Sequence, residues 1–163
     1  MRKLVSGAGV LTGLAILAIA TTAALATPAR DVASETLAEG ILDPITLKTK
    51  IGEWESEIQT EGQTNMVVTR FVVKPGGHFG WHSHPGPSLV LVKAGTSTFY
   101  RGDDPTCTGE THAAGTAYVD PGGVVHTARN ESTTQDLVLV TMRLLPPGTQ
   151  ARIDAPAPGN CDF

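Results

Sequence analysis

Glycine and proline recur at short intervals along this chain from residue 40 onward, singly or in clusters. They occur as Gly40, Pro44, Gly52, Gly62, Pro75-Gly76-Gly77, Pro85-Gly86-Pro87, Gly95, Gly102, Gly115, Pro121-Gly122-Gly123 and Pro146-Pro147-Gly148. Proline removes a helical hydrogen bond and glycine is unfavourable inside a helix, so helices of ordinary length do not fit between these positions. This spacing argues against a helical fold for most of the chain.

The segments between these turn residues are short and rich in β-branched side chains. The clearest are 45–50, 66–74, 89–93, 117–119, 124–128 and 137–145. Short β-branched segments separated by regular turn signals are typical of an all-β sandwich or barrel. Residues 29–40 are the one stretch compatible with a helical turn. We expect an exposed lead-in there, with one edge strand near Thr36.

The first 26 residues predict export. Met1-Arg2-Lys3 is a short basic start, an uncharged apolar run follows, and the run ends in the small-x-small pattern Ala24-Leu25-Ala26. This is the organisation of a signal peptide, and we predict cleavage after Ala26. An uncleaved membrane anchor is the alternative, which the Gly, Ser and Thr content of the run disfavours. The rest of the 163 residues suits one domain with a core of its own.

Charge limits the classes of partner. The whole sequence has a formal net charge of −4, and removal of Arg2 and Lys3 with the signal peptide makes the mature chain more acidic. Basic residues form no cluster. Nucleic acid is therefore not expected as a partner, and no membrane contact is expected beyond export.

The mature chain has two cysteines, Cys107 and Cys161. Paired thiols of exported proteins persist as disulfides, so we predict that the two are joined. Closing the loop between them stabilises by roughly 4 kcal/mol in the chain-entropy model, which is an upper value. The bond also gives a reason for order in the segment after Pro146, whose Pro and Gly content argues against regular structure.

The first of two histidine motifs begins at Gly76. Five residues later comes His82-Ser83-His84, three residues after that Ser88, and six residues after that Gly95. Side chains two positions apart in a strand lie on the same face about 7 Å apart. His82 and His84 can therefore converge on one ion inside a barrel.

The second motif begins at Gly115. Five residues later comes Pro121-Gly122-Gly123, two residues after that His126, and three residues after that Asn130. Asp120 and the Pro-Gly-Gly triplet predict a tight turn, because glycine tolerates a positive φ angle and proline fixes its own φ angle. We expect this turn to direct the side chain of His126 toward the same ion from a second strand. Three neutral imidazoles around a divalent ion leave positions open for water or substrate.

Over about residues 66–145 these two stretches resemble the paired motifs of the cupin superfamily. The resemblance implies a single-domain cupin, a double-stranded β-helix with a jelly-roll-like barrel, and one divalent metal ion (Fe, Mn, Zn, Ni or Cu) on His82, His84 and His126. We expect four regions: a signal peptide at 1–26, a lead-in with edge strands at 27–60, the cupin barrel at 61–145 and a tail at 146–163. Histidines that only hydrogen-bond to one another or to backbone carbonyls are the alternative to a metal site, but three such uncharged groups crowded together without an ion are hard to satisfy.

Ser88 departs from the family pattern, which usually has a carboxylate ligand at this position. A serine hydroxyl is a poor metal ligand. We expect it to donate a hydrogen bond to a metal-bound water or to substrate, or to fill space. Without the carboxylate, the site keeps the full charge of the ion, which favours a bound hydroxide or an anionic substrate.

Other residues near the motifs are expected outside the metal site. His78 lies about 13 Å along a strand from His82, which suggests a position at the barrel mouth or in a turn. His112 is expected in a surface loop, and Trp81 is expected to point away from His82. Tyr100 and Glu110 are candidate proton acceptors whose positions the sequence leaves open.

Two classes of function remain on this basis. The first is a mononuclear metal enzyme with dioxygenase-, isomerase- or hydrolase-like chemistry on a small anionic or oxygen-bearing molecule, and no catalytic residue can be named. The second is a non-enzymatic module that binds a small ligand outside the membrane. The sequence leaves a homodimer open in either case.

Overall fold

The structure, a computed structural model, describes residues 25–163 and contains twelve strands in that part of the chain. The strands are β1 Arg30–Leu42, β2 Thr46–Ile51, β3 Trp54–Gln59, β4 Thr64–His78, β5 His82–Ser83, β6 Ser88–Ala94, β7 Thr96–Arg101, β8 Glu110–Ala113, β9 Ala117–Asp120, β10 His126–Arg129, β11 Leu137–Leu145 and β12 Ile153–Asp154. The all-β class predicted from the turn spacing is confirmed.

Ten of these strands form one antiparallel sheet that nearly closes into a barrel. Its main path runs β12-β5-β10-β4-β11-β6-β9, with β1 paired to β4 and with β7 joining β10 to β8. β2 and β3 form a separate two-stranded sheet. Many of the pairings join strands far apart in sequence, and the pairing of β10 with β5 brings the two histidine motifs to neighbouring strands.

Alternation along the strands defines the barrel interior. In β6, Ser88, Val90 and Val92 are buried, whereas Leu89 and Leu91 are 42% and 50% exposed. The inward side chains of several strands form one apolar core: Phe71, Val73, Phe79, Val90, Val92, Phe99, Ala128, Leu137 and Leu139. Ser88 is a polar residue at an inward-facing position of β6. The candidate functional residues lie at the same end of the barrel.

The lead-in is more regular than the sequence suggested. The edge strand expected near Thr36 spans Arg30–Leu42 and pairs with β4 along its length, and no helical turn forms there. Most of β1 is exposed, so its own side chains carry little hydrophobic signal. Hydrogen bonds to the edge of β4 stabilise it as a strand.

The C-terminal segment is held against the barrel by several contacts. Cys107 and Cys161 form the predicted disulfide. The ring of Phe163 stacks on Trp81 with 4° between the planes, and the guanidinium of Arg129 lies 4.0 Å from the Phe163 centroid. Apart from the two residues of β12, the segment lacks helix and strand, as its Pro and Gly content predicted.

The predicted signal peptide lies almost wholly outside the described residues. Immediately after the predicted cleavage point, the backbone N–H of Thr27 donates to the carbonyl of Ala155 at 3.1 Å. The Thr27 hydroxyl also accepts a hydrogen bond from the backbone N–H of Trp81 at 2.6 Å. Residues 25–163 contain no helix with the length and apolar character needed to cross a membrane.

Candidate metal centre

The three motif histidines meet at one point inside the barrel. His82 in β5 and His126 in β10 are directly opposite each other in the strand pairing, and His84 follows β5. One ring nitrogen from each lies within 4.8 Å of the others. All three side chains are buried. The structure thus brings together the three residues that the motifs predicted as ligands.

Each imidazole is oriented by a backbone carbonyl on its Nδ1 side. The Nδ1 atom of His82 lies 2.8 Å from the oxygen of Gly80, and that of His126 lies 2.9 Å from the oxygen of Val124. The Nδ1 atom of His84 lies 2.5 Å from the oxygen of Ala151. A carbonyl can only accept, so each Nδ1 carries the proton and donates it. Each Nε2 therefore keeps its lone pair.

Burial keeps these imidazoles neutral. It lowers the pKa of His82 to about 2, because protonation of this ring is disfavoured by desolvation and then by the proximity of the His126 ring and of the Arg152 charge. Burial likewise lowers the pKa of His84 to about 4, although its hydrogen bond to Ala151 raises it, and burial also lowers the pKa of His126. A metal ion does not have to displace protons from these groups at neutral pH.

A tight turn between β9 and β10 positions His126. Gly122 and Gly123 have φ values of +78° and +73°, as the Pro-Gly-Gly triplet predicted. A Cβ atom on Gly122 would lie 2.5 Å from the carbonyl oxygen of Gly86. The backbone N–H of Gly123 donates to the carbonyl of His84 at 2.8 Å. The turn therefore packs directly against the segment that carries His84.

Sequence reasoning missed a carboxylate in the site, that of Asp120. This side chain is 3% exposed, and its Oδ2 atom lies 3.3 Å from Nε2 of His126 and 3.5 Å from Nε2 of His84. Its Oδ1 atom accepts the backbone N–H of Gly122 at 3.1 Å. Asp120 entered the sequence analysis only as the first residue of the turn. The signal that could have found it is its position at the end of β9, where its side chain faces the barrel interior.

The cavity around the imidazoles has a volume of about 40 Å³. Apolar and aromatic side chains form most of its wall, with Ser88, Asp120, Thr141 and Arg143 as the other polar members. Ser88 is 2% exposed, and its hydroxyl has no hydrogen-bond partner. It lines the cavity beside the imidazoles. This volume is well below that of pockets for drug-sized ligands.

His78 and His112 lie outside the metal centre. His78 ends β4, and its Nδ1 atom accepts the backbone N–H of Gly80 at 3.1 Å. The expectation of a surface loop for His112 is wrong, because this residue lies in β8 and its ring stacks on Tyr118 at 4.1 Å. The Thr- and Ala-rich segment pairs with β7, and this pairing makes it a strand.

The two suggested proton acceptors are also away from the cavity. The Tyr100 hydroxyl donates to Glu131 at 3.4 Å on the exposed side of the barrel. The side chain of Glu110 is 63% exposed. Trp81 points away from His82 as expected, since it is 3% exposed and packs on Phe163. Among the residues that line the cavity, Asp120 is the one acidic side chain.

The donor set fits a divalent transition metal ion. Three Nε2 lone pairs converge on a buried point, an Asp120 carboxylate oxygen lies near two of them, and the Nδ1 hydrogen bonds leave no proton on the facing nitrogens. Uncompensated lone pairs in such a place repel one another, and a cation removes the repulsion. Imidazole and carboxylate ligands suit Fe, Mn, Zn, Ni and Cu alike.

Comparison with known proteins agrees with the barrel and the motifs. The profile of the cupin domain family matches residues 69–143, a range that contains all three imidazoles and Ser88. Residues 69–143 are a cupin domain. No curated protein sequence matches this cupin.

Solved structures with the same fold are similar to this cupin at low sequence identity. The polyketide cyclase RemF from Streptomyces resistomycificus has a TM-score of 0.54 and 17% identity, over 78% of this chain and 74% of that chain. A cupin-2 domain protein from Rhodospirillum rubrum has a TM-score of 0.50 and 18% identity, over 77% and 66% of the two chains. Likeness at this level shows the fold alone.

Proposed function

We propose that this cupin holds one divalent metal ion on His82, His84 and His126 and is a metal enzyme that acts on a small molecule. The observation that carries the proposal is the orientation of the rings. Each Nδ1 proton is donated to a backbone carbonyl, so three unprotonated Nε2 atoms face one buried cavity. Histidines that served only to hydrogen-bond to one another or to backbone carbonyls would not need all three lone pairs to converge.

A bound ion supplies Lewis acidity or oxygen activation, and both are compatible with the dioxygenase-, isomerase- or hydrolase-like reactions that we include in the proposal. The chain itself binds and orients the reactant. Aromatic side chains such as Phe71 and Phe99 line the wall and exclude water. The cavity volume limits the reactant to a small molecule.

The proposal is tested first by elemental analysis of protein purified from its native host. Iron supports oxygen chemistry and zinc supports hydrolysis, whereas manganese, nickel or copper supports the site without fixing the reaction. Metal well below one equivalent in protein that also fails to bind added ion would contradict the proposal.

Substitution then assigns the ligands. We expect His82→Ala, His84→Ala and His126→Ala each to reduce bound metal strongly, because each removes one of three imidazoles from the ion. His78→Ala and His112→Ala are matched controls that should keep wild-type occupancy, because neither side chain reaches the cluster. Equal occupancy in all five variants would show that the histidines are structural.

A non-enzymatic binding module is the second candidate. It is favoured by the distance of Tyr100 and Glu110 from the cavity, which leaves Asp120 as the one acidic group there to accept a proton. The two candidates differ in that the enzyme would convert its ligand to a product and the binding module would not. A small molecule that binds to the metal-loaded protein and is recovered unchanged after prolonged incubation supports the module.

We further propose that the protein is exported and that its mature form begins at Thr27. The supports are the Met1–Ala26 signal pattern and the disulfide that joins the two cysteines. N-terminal sequencing of protein recovered outside the cytoplasm should find Thr27 first. Recovery of protein that begins at Met1 would contradict this proposal.

A further inference from the structure

We propose that Asp120 supplies the carboxylate ligand that the first histidine motif lacks. This inference rests on the proposed metal site and adds a fourth protein ligand to it. Ser88 stands at the position where the family usually has a carboxylate, and the structure places Asp120 beside it. In this proposal the carboxylate ligand comes from β9 instead of from its neighbour β6.

The strand pairing explains how the exchange preserves the site. Ser88 of β6 and Asp120 of β9 are direct partners across the sheet, and both are 2% exposed. Side chains of directly opposite residues lie on the same face, with Cβ atoms about 5 Å apart. A carboxylate can therefore enter the same cavity from either strand. The small hydroxyl of Ser88 leaves room for it.

The contacts of Asp120 with the imidazoles fit ligands of one ion better than hydrogen bonds. Hydrogen bonds between a charged donor and a carboxylate are about 2.7–2.9 Å long. The observed separations of Oδ2 from Nε2 of His126 and of His84 are 3.3 and 3.5 Å. Two atoms each about 2.1 Å from one ion at a tetrahedral angle are about 3.4 Å apart.

Asp120 is also held so that one oxygen remains for the ion. Its Oδ1 atom accepts the N–H of Gly122, and this leaves Oδ2 directed at the imidazoles. Without a cation, Oδ2 would face the lone pairs of two neutral rings, which is repulsive. A divalent ion at the convergence point turns this repulsion into attraction.

The test compares metal affinities by competition with a chromophoric chelator, with Zn²⁺ and Co²⁺ as probes. Asp120→Asn keeps an oxygen for the Gly122 contact and replaces Oδ2 by an amide nitrogen. We expect its affinity to fall by at least about 100-fold, more than for residues that only hydrogen-bond to a ligand, which cost about 10–100-fold. Asp136→Asn is the matched control, because that carboxylate binds Lys74 on the exposed surface, and it should bind metal as wild type does.

Adding Ser88→Glu to the Asp120→Asn protein supplies the rescue. The double variant should recover affinity to within about tenfold of wild type, because it restores a carboxylate at the family position, and its Co²⁺ absorption spectrum should return toward that of wild type. Wild-type affinity in Asp120→Asn, or a loss below 100-fold without rescue, would overturn the inference. If His126→Ala also binds metal like wild type, the proposed metal site itself fails.

A different observation concerns Arg143, and from it we infer that this cupin binds the carboxylate group of a small ligand. Arg143 lies in β11 directly opposite Ser88 and lines the same cavity. Its Nε atom is buried without a hydrogen-bond partner, as is the Ser88 hydroxyl. Buried polar groups in native proteins are almost always paired, so two adjacent unpaired groups facing a cavity indicate a missing ligand.

The chemistry of the two groups specifies the ligand. The charge of a buried guanidinium is costly unless an anion lies beside it. A planar carboxylate matches the two parallel N–H groups of arginine, and the serine hydroxyl can donate one more hydrogen bond. The ring of Phe71, whose centroid lies 5.2 Å from the guanidinium carbon of Arg143, provides an apolar surface beside it.

This inference is tested in metal-free protein, so that failure of the metal site does not affect the result. Calorimetric titration with acetate, glycolate and oxalate should detect binding, whereas the uncharged analogue acetamide and inorganic phosphate should not bind. We expect Arg143→Gln to weaken carboxylate binding at least about tenfold, with Arg143→Lys intermediate because it keeps the charge and loses the planar fork. Arg70→Gln, which alters an exposed arginine near Glu35, should have no effect.

Each departure from this pattern would overturn the inference. Failure of all three carboxylates to bind the wild-type protein, equal binding of acetamide, or preference for phosphate would exclude the carboxylate class. Unchanged carboxylate binding in Arg143→Gln would exclude Arg143. If Arg143→Gln does not fold, the Arg143→Lys comparison decides the role of the guanidinium.

Discussion

A single carbonyl contact on each imidazole determines which ring nitrogen is free to bind a metal ion in the candidate centre. The Gly80, Ala151 and Val124 carbonyls fix the tautomers, and burial keeps the rings neutral. Two of these carbonyls belong to residues two positions before the histidine that they orient, so the local backbone sets the tautomers of His82 and His126. The third comes from the C-terminal segment, so the orientation of His84 depends on the docking of distant residues.

The lowered pKa values predict a pH dependence of stability in the metal-free protein. Burial lowers the pKa of His82 from its ordinary value of 6.5 to about 2 in the folded protein, so between these values the unfolded chain binds the extra proton. Stability is therefore full above about pH 6.5 and falls as the pH decreases toward 2. Denaturant titrations between pH 7 and pH 4.5 should show this fall in wild type.

His82→Gln provides the control for this pH prediction, because it removes one titrating group from the cavity. The slope of its unfolding free energy against pH should be smaller than that of wild type by about one proton per molecule. Parallel slopes for the two proteins would show that His82 is readily protonated in the folded state.

Among the elements, the turn between β9 and β10 has the strictest requirements. Gly122 needs both a positive φ and the absence of a side chain, because the Gly86 carbonyl lies against it, whereas Gly123 needs only the positive φ. Both glycines precede His126 by a few residues. Disturbance of the turn therefore moves a ligand as well as the backbone.

This difference predicts unequal effects of alanine at the two glycines. Gly122→Ala should destabilise by roughly 1–3 kcal/mol and weaken metal binding, because its Cβ meets backbone that cannot withdraw. Gly123→Ala should cost about 1 kcal/mol from backbone strain alone, since its Cβ enters open space. Thermal unfolding and metal competition check both variants, and equal effects would mean that the contact with Gly86 is unimportant.

On the scale of the whole molecule, the C-terminal segment completes the barrel. The disulfide closes a loop of 54 residues, and Phe163 fills the outer side of the wall against Trp81. The amide of Asn160 donates to the carbonyls of Arg101 and Asp104. Since the same segment also carries Ala151, it connects the stability of the tail to the orientation of His84. The homodimer and the four region boundaries stay predictions.

Cys161→Ser should lower the stability of the protein by up to about 4 kcal/mol, because the unfolded chain gains the freedom of the opened loop. Thermal unfolding measures the effect, and reduced wild type is the control that should match the variant. Two titratable thiols in denatured protein from the oxidising compartment would contradict the presence of the bond. An unchanged melting temperature would show that the other tail contacts suffice.

The sequence alone predicted the parts of this protein that local chemistry fixes. Turn residues at short intervals argue against helices, and the motif spacings identify the three clustered histidines and the turn that precedes His126. The strand at 137–145 was predicted with the bounds that the structure has. Strands with polar or mixed composition, such as β3 and β8, were missed because hydrogen bonds to a neighbouring strand, and not their own side chains, stabilise them.

Tertiary structure alone decided which polar groups share the cavity with the imidazoles. Asp120 and Arg143 stand 32 and 55 residues beyond Ser88 in sequence, yet strand pairing places them on either side of it. Their significance depends on register, since a shift of one residue would turn each side chain to the outside of the barrel. Register is a property of the assembled sheet, and for this reason the sequence could name the histidines but not the charged groups beside them.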